Sequence, residues 1–241
     1  MKHPEIIYKD QDFLVLNKPA GMIVNNADTS KEAYTVQDFI RQTYPDAIMS
    51  EDDSEFARRG GIVHRLDKET SGVLLVALNE EIFSALQKQF KERTVIKEYI
   101  ALCHGKLATD GEINVPIGRL PWNRMRFGVI PQGRESLTKF QVIEYKKLTL
   151  GKSSEVLTLV RVFPKTGRTH QIRVHFQYAG FPIFADSLYA GRKTIVRDRK
   201  LLGRHFLHAS KITLNHPKTM AQVEFEAPLS SELVDFLAQL T

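Results

Sequence analysis

The sequence predicts an α+β fold in which a mainly antiparallel, mixed central sheet is flanked by helices and loops. Three observations carry this expectation. Strand-like apolar runs recur along the 241 residues, a few helical patterns interrupt them without regular βαβ alternation, and no internal repeat or linker divides the chain. At 42% hydrophobic and 26% charged, the composition suits a single domain over residues 1–241, large enough to bury a core without staples.

The elements follow in order. Phe13-Leu14-Val15-Leu16 is a short apolar run closed by Asn17-Lys18-Pro19-Ala20-Gly21, a strand ending in a turn. Thr35 is placed to cap a helix with Val36, Phe39 and Ile40 on one face. Met49 to Arg59 is acidic, then basic, without periodicity, and is expected to be a surface loop. Ile62 to Leu78 is the densest stretch, and after it Asn79 precedes a helical pattern through Ile82, Phe83, Leu86 and Phe90. Val95 to Leu102 has strand character. Glu112 to Pro131, rich in Arg, Gly and Pro, is expected to form an extended arm outside the core. Val156 to Phe163 is apolar and β-branched, as a central strand is.

Thr169 to Gly180 fits both periods. Alternation groups Ile172, Val174 and Phe176, whereas helical spacing groups Ile172, Phe176 and Ala179. With Thr169 as N-cap and Gly180 just past the end, the capping signals favour the helix. Gly191 to Arg204 is strongly basic, and Ser230 caps a last amphipathic helix with Leu233, Phe236, Leu237 and Leu240.

Composition narrows the function classes. One cysteine, Cys103, excludes an internal disulfide framework, and between apolar neighbours it reads as a buried small hydrophobe. Met1 to Asp10 lacks the apolar core of a signal peptide, and the longest apolar stretch, Val73 to Leu78, is too short to span a bilayer. A cytoplasmic monomer without membrane contact is expected. Lys and Arg exceed Asp and Glu by 34 to 28, a formal charge of +6, which favours a polyanionic partner; the plain alternative is solubility. The histidines His64, His170, His175, His205 and His208 match no metal-ligand spacing, so neither a metal nor another cofactor is expected.

Two clusters carry chemistry. The first is Gly61-Ile62-Val63-His64-Arg65-Leu66-Asp67-Lys68-Glu69-Thr70-Ser71-Gly72, with apolar residues leading in and out, so its polar centre sits where chain leaves packed structure and returns to it. Arg65 and Lys68 favour the ionised form of Asp67, which suits a nucleophile or base. From these residues alone, a turn-capping Asp completed by Thr70 and Ser71 is an equal alternative. The second cluster is Phe163 to His175. Arg168 falls just before the expected helix, where a guanidinium beside free backbone N–H groups makes an anion site or a partner for Asp67; a solvated basic cap is the competing explanation.

Together with shorter matches, these clusters resemble the RluA-type family of pseudouridine synthases over nearly the whole chain. The matches are Leu16-Asn17-Lys18-Pro19-Ala20-Gly21, His64 to Gly72, Lys97-Glu98-Tyr99, Gly167-Arg168-Thr169-His170-Gln171-Ile172-Arg173, Pro182-Ile183-Phe184-Ala185-Asp186 and Leu207-His208-Ala209, in the family's order. Asn25, Asn79 and Ala185 stand where the family often has His, Lys and Gly. The resemblance implies the pseudouridine synthase fold with a central active-site cleft, and isomerisation of uridine in tRNA or large-subunit ribosomal RNA. It makes Asp67 the essential aspartate, attacking the ribose or removing a ribose proton. It makes Tyr99 the ring against the target base and Arg168 the partner of Asp67. Arg65 is assigned to flipping the base, and His64, Thr169 and Leu207 join it as substrate contacts, with His64 also supporting the loop. The basic runs Arg119 to Arg126 and Gly191 to Arg204 become phosphate-contacting arms. The separate small RNA-binding S4-like domain that some relatives carry is not expected before Lys18, so substrate choice is expected to rest on loops and arms of the catalytic domain.

Two alternatives stay open at this stage. A hydrolytic N-glycosidase would release free uracil and would ordinarily pair two carboxylates. A non-catalytic RNA-binding protein of the same fold would bind RNA and leave it unchanged.

Overall fold

Phe13 to Leu16, the first apolar run, is fully buried because it lies within the middle one of three successive antiparallel strands, β1 (Glu5–Lys9), β2 (Phe13–Lys18) and β3 (Ser71–Ala77). The computed structural model describes residues 3–25, 34–45 and 54–241. All seven residues of β3 are buried, so its unbroken Val-Leu-Leu-Val run marks a strand covered on both faces. Helix α1 (Val36–Thr43) opens on Thr35 with a reciprocal capping box to Asp38. Helix α2 (Glu55–Arg59) opens on Ser54 and buries Phe56, which corrects the expected loop in that half of Met49 to Arg59; residues 49–53 lie outside the described ones. Helix α3 (Glu80–Glu92) opens on Asn79, whose side chain accepts from the Ile82 amide, and buries Ile82, Phe83 and Leu86 as the sequence predicts.

The chain divides into two compact units. Unit one comprises Met1–Ile96 and Ala209–Pro228; unit two comprises Lys97–His208 and Leu229–Thr241. Two of the three boundaries fall at the start of a strand or inside one, so no linker composition marks them.

In unit two, β4 (Ile96–His104), β5 (Gly111–Asn114), β8 (Leu137–Leu150) and β9 (Ser153–Pro164) pair antiparallel in the order β4-β9-β8-β5, which makes β9 an interior strand as expected. Alternation sends Ala101, Cys103, Val160 and Val162 into one cluster, with Ile172 and Phe176. It sends Leu102, Leu157 and Leu159 into another, with Phe184, Phe206, Leu233 and Phe236. Cys103 is fully buried, and burial pushes its thiol pKa up.

Strands β6 (Ile117–Leu120) and β7 (Asn123–Val129) form a separate hairpin. The expected arm is thus ordered structure with a core-facing root, since Ile113 and Ile117 are buried. Helix α4 (Gln171–Tyr178) confirms the helical alternative, but His170, in left-handed backbone at φ 56°, occupies the N-cap position assigned to Thr169. Gln171 through Phe176 are all buried, which is why neither period stands out in the sequence. Helix α5 (Arg192–Leu201) carries the basic run, β10 (Leu207–Asn215) pairs with β11 (Gln222–Glu226), and α6 (Ser231–Ala238) closes the chain. No helix among the described residues is long and apolar enough to cross a membrane.

Candidate active site

Asp67 sits in a loop whose two ends are pinned. The Ala77 amide donates to the Gly61 carbonyl at 2.8 Å, and Ile62 bridges Val76. Both flanking glycines hold positive φ, 70° at Gly61 and 113° at Gly72, and a Cβ on either would lie 2.1 Å from a main-chain oxygen, that of Ala77 or Ala209. Only glycine allows the loop to leave and rejoin packed structure this closely.

Within the loop, burial alternates. Leu66 and Thr70 are buried, Asp67 and Glu69 are half-buried, and Arg65 and Lys68 are exposed. The Thr70 amide closes a turn on the main-chain carbonyl of Asp67 at 3.1 Å. The Lys68 carbonyl accepts from the Gly21 amide at 2.8 Å and from Lys18 Nζ at 3.2 Å. Lys18 is fully buried, and its Nζ also donates to the carbonyls of Pro19 and Met22, both at 2.9 Å. The Asn-Lys-Pro segment is therefore the loop's brace, a role the sequence did not disclose.

His64 is a second brace. Its Nε2 accepts from the Leu75 amide at 3.0 Å, and its ring stacks on Phe90 at 4.9 Å. That geometry agrees with the loop-supporting role expected of it.

Tyr99 and Arg168 belong to unit two, Asp67 to unit one. Tyr99 pairs with Val162 on β9 and packs, half-buried, against the cluster around Ala101 and Val160. Lys97 Nζ donates to the Thr166 carbonyl at 3.2 Å, joining the start of β4 to the segment that carries Arg168. Gln171 shapes that segment, and sequence reasoning gave it no role. Its Oε1 accepts from Thr166 Oγ1 at 2.6 Å and from the Arg168 amide at 3.0 Å, while its Nε2 donates to the Leu137 carbonyl and to Thr138 Oγ1. A buried amide with both ends satisfied holds the turn in one conformation. Arg168 stands three residues ahead of α4, as expected, and its Nε donates to the Glu135 carbonyl at 3.2 Å.

The remaining expectations divide. Thr169 is exposed. Leu207 is 3% exposed and packed among Ala101, Val160 and Phe176. In the basic run of α5, Arg197 pairs with Glu155 and Asp198, and Arg204 is buried against Glu232 and Ser230 Oγ. Both guanidinium groups are engaged by carboxylates, Arg204 buried and Arg197 partly exposed, while Arg192, Lys193 and Lys200 are exposed. Ala185, where glycine is usual, adopts φ 58°, and Asp186 beyond it accepts from the Leu188 and Tyr189 amides.

One group has metal-ligand spacing among the described residues: Asp10, Asp12 and His216, with ligand atoms within 4.8 Å. Its atoms already have partners. Asp10 accepts from Tyr8, His216 and the amides of Asp12 and Phe13, and Asp12 pairs with Lys218 at 2.6 Å. The cluster locks a turn.

The profile of the RNA pseudouridylate synthase family matches residues 12–178, and the chain belongs to this family, in its RluA-type branch. It is 38% identical over 237 residues to an uncharacterized RNA pseudouridine synthase of Bacillus subtilis, spanning 98% of this chain and 72% of that protein. Identity is 33% over 244 residues to ribosomal large subunit pseudouridine synthase D of Pseudomonas aeruginosa, spanning 98% and 71%. Among solved structures, human RNA pseudouridylate synthase domain containing 1 superposes with a TM-score of 0.75 at 29% identity, covering 99% of this chain and 88% of that one. The protein is an isomerase that converts uridine in RNA to pseudouridine.

Proposed function

We propose that the substrate is large-subunit ribosomal RNA, modified in the cytoplasm, and that Asp67 is the essential carboxylate, assisted by Tyr99 and Arg168. The relatives named for the ribosomal large subunit, at 31–39% identity, support the choice of ribosomal RNA over tRNA. One observation carries the assignment of Asp67. It is the half-buried carboxylate of a turn pinned at both ends and braced by Lys18 and His64, with Arg65 and Lys68 exposed on either side. Such a turn holds an acid at low reorganisation cost while its neighbours meet phosphate.

In the reaction, the N1 to ribose C1′ bond breaks, the uracil turns, and C5 bonds to C1′; the C5 proton is lost and N1 gains one, so the RNA mass is unchanged. Asp67 acts on the ribose, Tyr99 packs against the base and serves its proton exchange, and Arg168 keeps the carboxylate ionised and oriented. Arg65 occupies the space the flipped uridine leaves, offsetting part of the few kcal/mol that unstacking costs.

The test is ribosomal RNA from cells lacking this gene, incubated with the enzyme and digested to nucleosides. Pseudouridine should appear at a defined site with no free uracil, and Asp67→Asn should lower turnover by about ten-thousandfold while still binding RNA. Free uracil would make the enzyme a glycosidase, and unmodified but bound RNA a non-catalytic binder. Near-normal turnover by Asp67→Asn would reject the residue assignment.

A further inference from the structure

The β6–β7 hairpin carries an aromatic side chain that the fold does not use. Its strands pair through Ile117↔Val129, Gly118↔Gly128 and Arg119↔Phe127, and Pro121-Trp122 makes the turn before Asn123. Trp122 is 78% exposed, the largest exposure among the large hydrophobic side chains of the described residues. A single exposed apolar side chain is ordinary. This one differs in what holds it and in what surrounds it.

The hairpin is braced at its root. Ile117 is buried against Val174 and Tyr189, with Phe127 and Val129 packed on them, and the Phe127 amide donates to the Tyr189 hydroxyl at 3.2 Å. That hydroxyl also shares a 2.9 Å hydrogen bond with His170 Nδ1, two residues beyond Arg168. From Val115 to Arg134 there are four arginines and no Asp or Glu. The Arg119 guanidinium lies 4.9 Å from the centre of the Phe127 ring, and that of Arg126 lies 5.3 Å from the centre of the Tyr189 ring. The result is a stiff ribbon with a positive flank and an indole at its end.

We propose that Trp122 stacks on an unpaired base of the RNA substrate, a nucleotide other than the target uridine, while the hairpin's arginines attract the adjoining phosphates. The proposal rests on the assignment of structured RNA as substrate and adds its recognition surface. An indole offers a sequence-tolerant stacking face, and only an unpaired, splayed base presents a matching one, because the bases of an A-form duplex are already stacked on each other. The same positive charge repels a second copy of this chain, so the hairpin is a poor self-association surface.

Trp122 is the chain's single tryptophan, so its emission reports this position alone. The wild-type enzyme is titrated with a uridine-containing RNA stem-loop and with a blunt RNA duplex of equal length, binding being followed independently by anisotropy of end-labelled RNA. The stem-loop should quench the emission by about half or more, and the duplex should bind through charge without quenching. Trp122→Ala should raise KM for the stem-loop about tenfold, within the range for loss of one stacked base, with kcat within about twofold, and Trp122→Phe should recover most of the loss. Silent emission on stem-loop binding, equal quenching by the duplex, an unchanged KM in Trp122→Ala, or a change in sedimentation in place of RNA affinity would each overturn the proposal. Pseudouridine formation alongside silent emission sinks this proposal alone. Absence of both binding and modification sinks the substrate assignment with it.

Discussion

Lys18 donates from its buried Nζ to the carbonyl of Lys68 at 3.2 Å, tying the end of β2 to the residue that follows Asp67. The Pro19 and Met22 carbonyls also accept from it. Replacing Lys18 with Met keeps the length and apolar stem but leaves carbonyls without a donor. We expect Lys18→Met to cost about 3 kcal/mol in chemical denaturation, the scale of losing charge-assisted bonds in a buried site. We also expect kcat to fall more than KM rises, because Asp67 loses its support while the exposed Arg65 and Lys68 remain. Unchanged stability and kcat would show that the loop holds itself.

A second buried pair sets the shape of unit two. Arg173 meets Asp186 by two bonds, Nε to Oδ2 at 2.7 Å and an outer nitrogen to Oδ1 at 2.8 Å, both side chains almost fully buried. Burial works against the charge of Asp186, but Arg173 and the Leu188 amide outweigh it and hold the carboxyl below its ordinary pKa. A depressed carboxylate stabilises the fold above its unfolded value, near 3.9, and that contribution is lost as pH falls through the folded one. Arg173→Lys cannot make the bidentate contact and should cost about 3 kcal/mol or more in urea denaturation at neutral pH. A loss under about 0.5 kcal/mol would mean a single contact suffices.

His104 lies between two carboxylates, Glu155 at Nδ1 and Asp198 at Nε2, the latter at 2.8 Å. Arg197 bridges the same two acids, so two cations and two anions close a ring across β4, β9 and α5. Burial disfavours the charged imidazole, yet the bonds to Asp198 and Glu155 prevail and raise its pKa. For a raised histidine the stabilisation is complete below the unfolded value, near 6.5, and is lost as pH climbs through the folded one. Thermal midpoints should therefore decline on the alkaline side of that window, and His104→Gln should be less stable below it and lack the decline. A parallel pH profile in the variant would remove His104 from the account.

Local physics explains which features were legible in the sequence. Helix α3 was readable because Asn79 and the Ile82-Phe83-Leu86 face act within one helix, and α1 because Thr35 and Asp38 cap each other. The Gly61 to Gly72 loop stood out because its residues are contiguous. Lys18 was not, since a lysine whose partner is 50 residues away looks like any other surface cation. Arg197 and Arg204 counted towards a basic arm for the same reason, their partners Glu155 and Glu232 being remote in sequence. Helix α2 was missed because five residues with one buried apolar side chain, Phe56, leave no period to detect. The N-cap of α4 slipped from Thr169 to His170 because the bond that organises that turn comes from Gln171, inside the helix.

Gly72 gives a sharp test of whether the loop's geometry or its sequence matters. At φ 113° an L-residue is strained, and a Cβ there would stand 2.1 Å from the Ala209 carbonyl oxygen and 2.8 Å from its amide nitrogen, both main-chain atoms that cannot swing aside. Gly151 provides the control, because its φ of 60° lies in the left-handed region that Asn tolerates and nothing stands within 4 Å of its Cβ position. Gly151→Asn should stay within about 1 kcal/mol of the parent and keep full activity. Gly72→Ala must push β3 away from Ala209 or distort the return of the loop that carries Asp67. We expect it to lose about 3 kcal/mol or more, combining backbone strain with lost packing, and to lose turnover even at temperatures where circular dichroism still shows a folded protein. Equal behaviour of the two variants in melting and turnover would mean that the close approach at Gly72 is not what holds the loop.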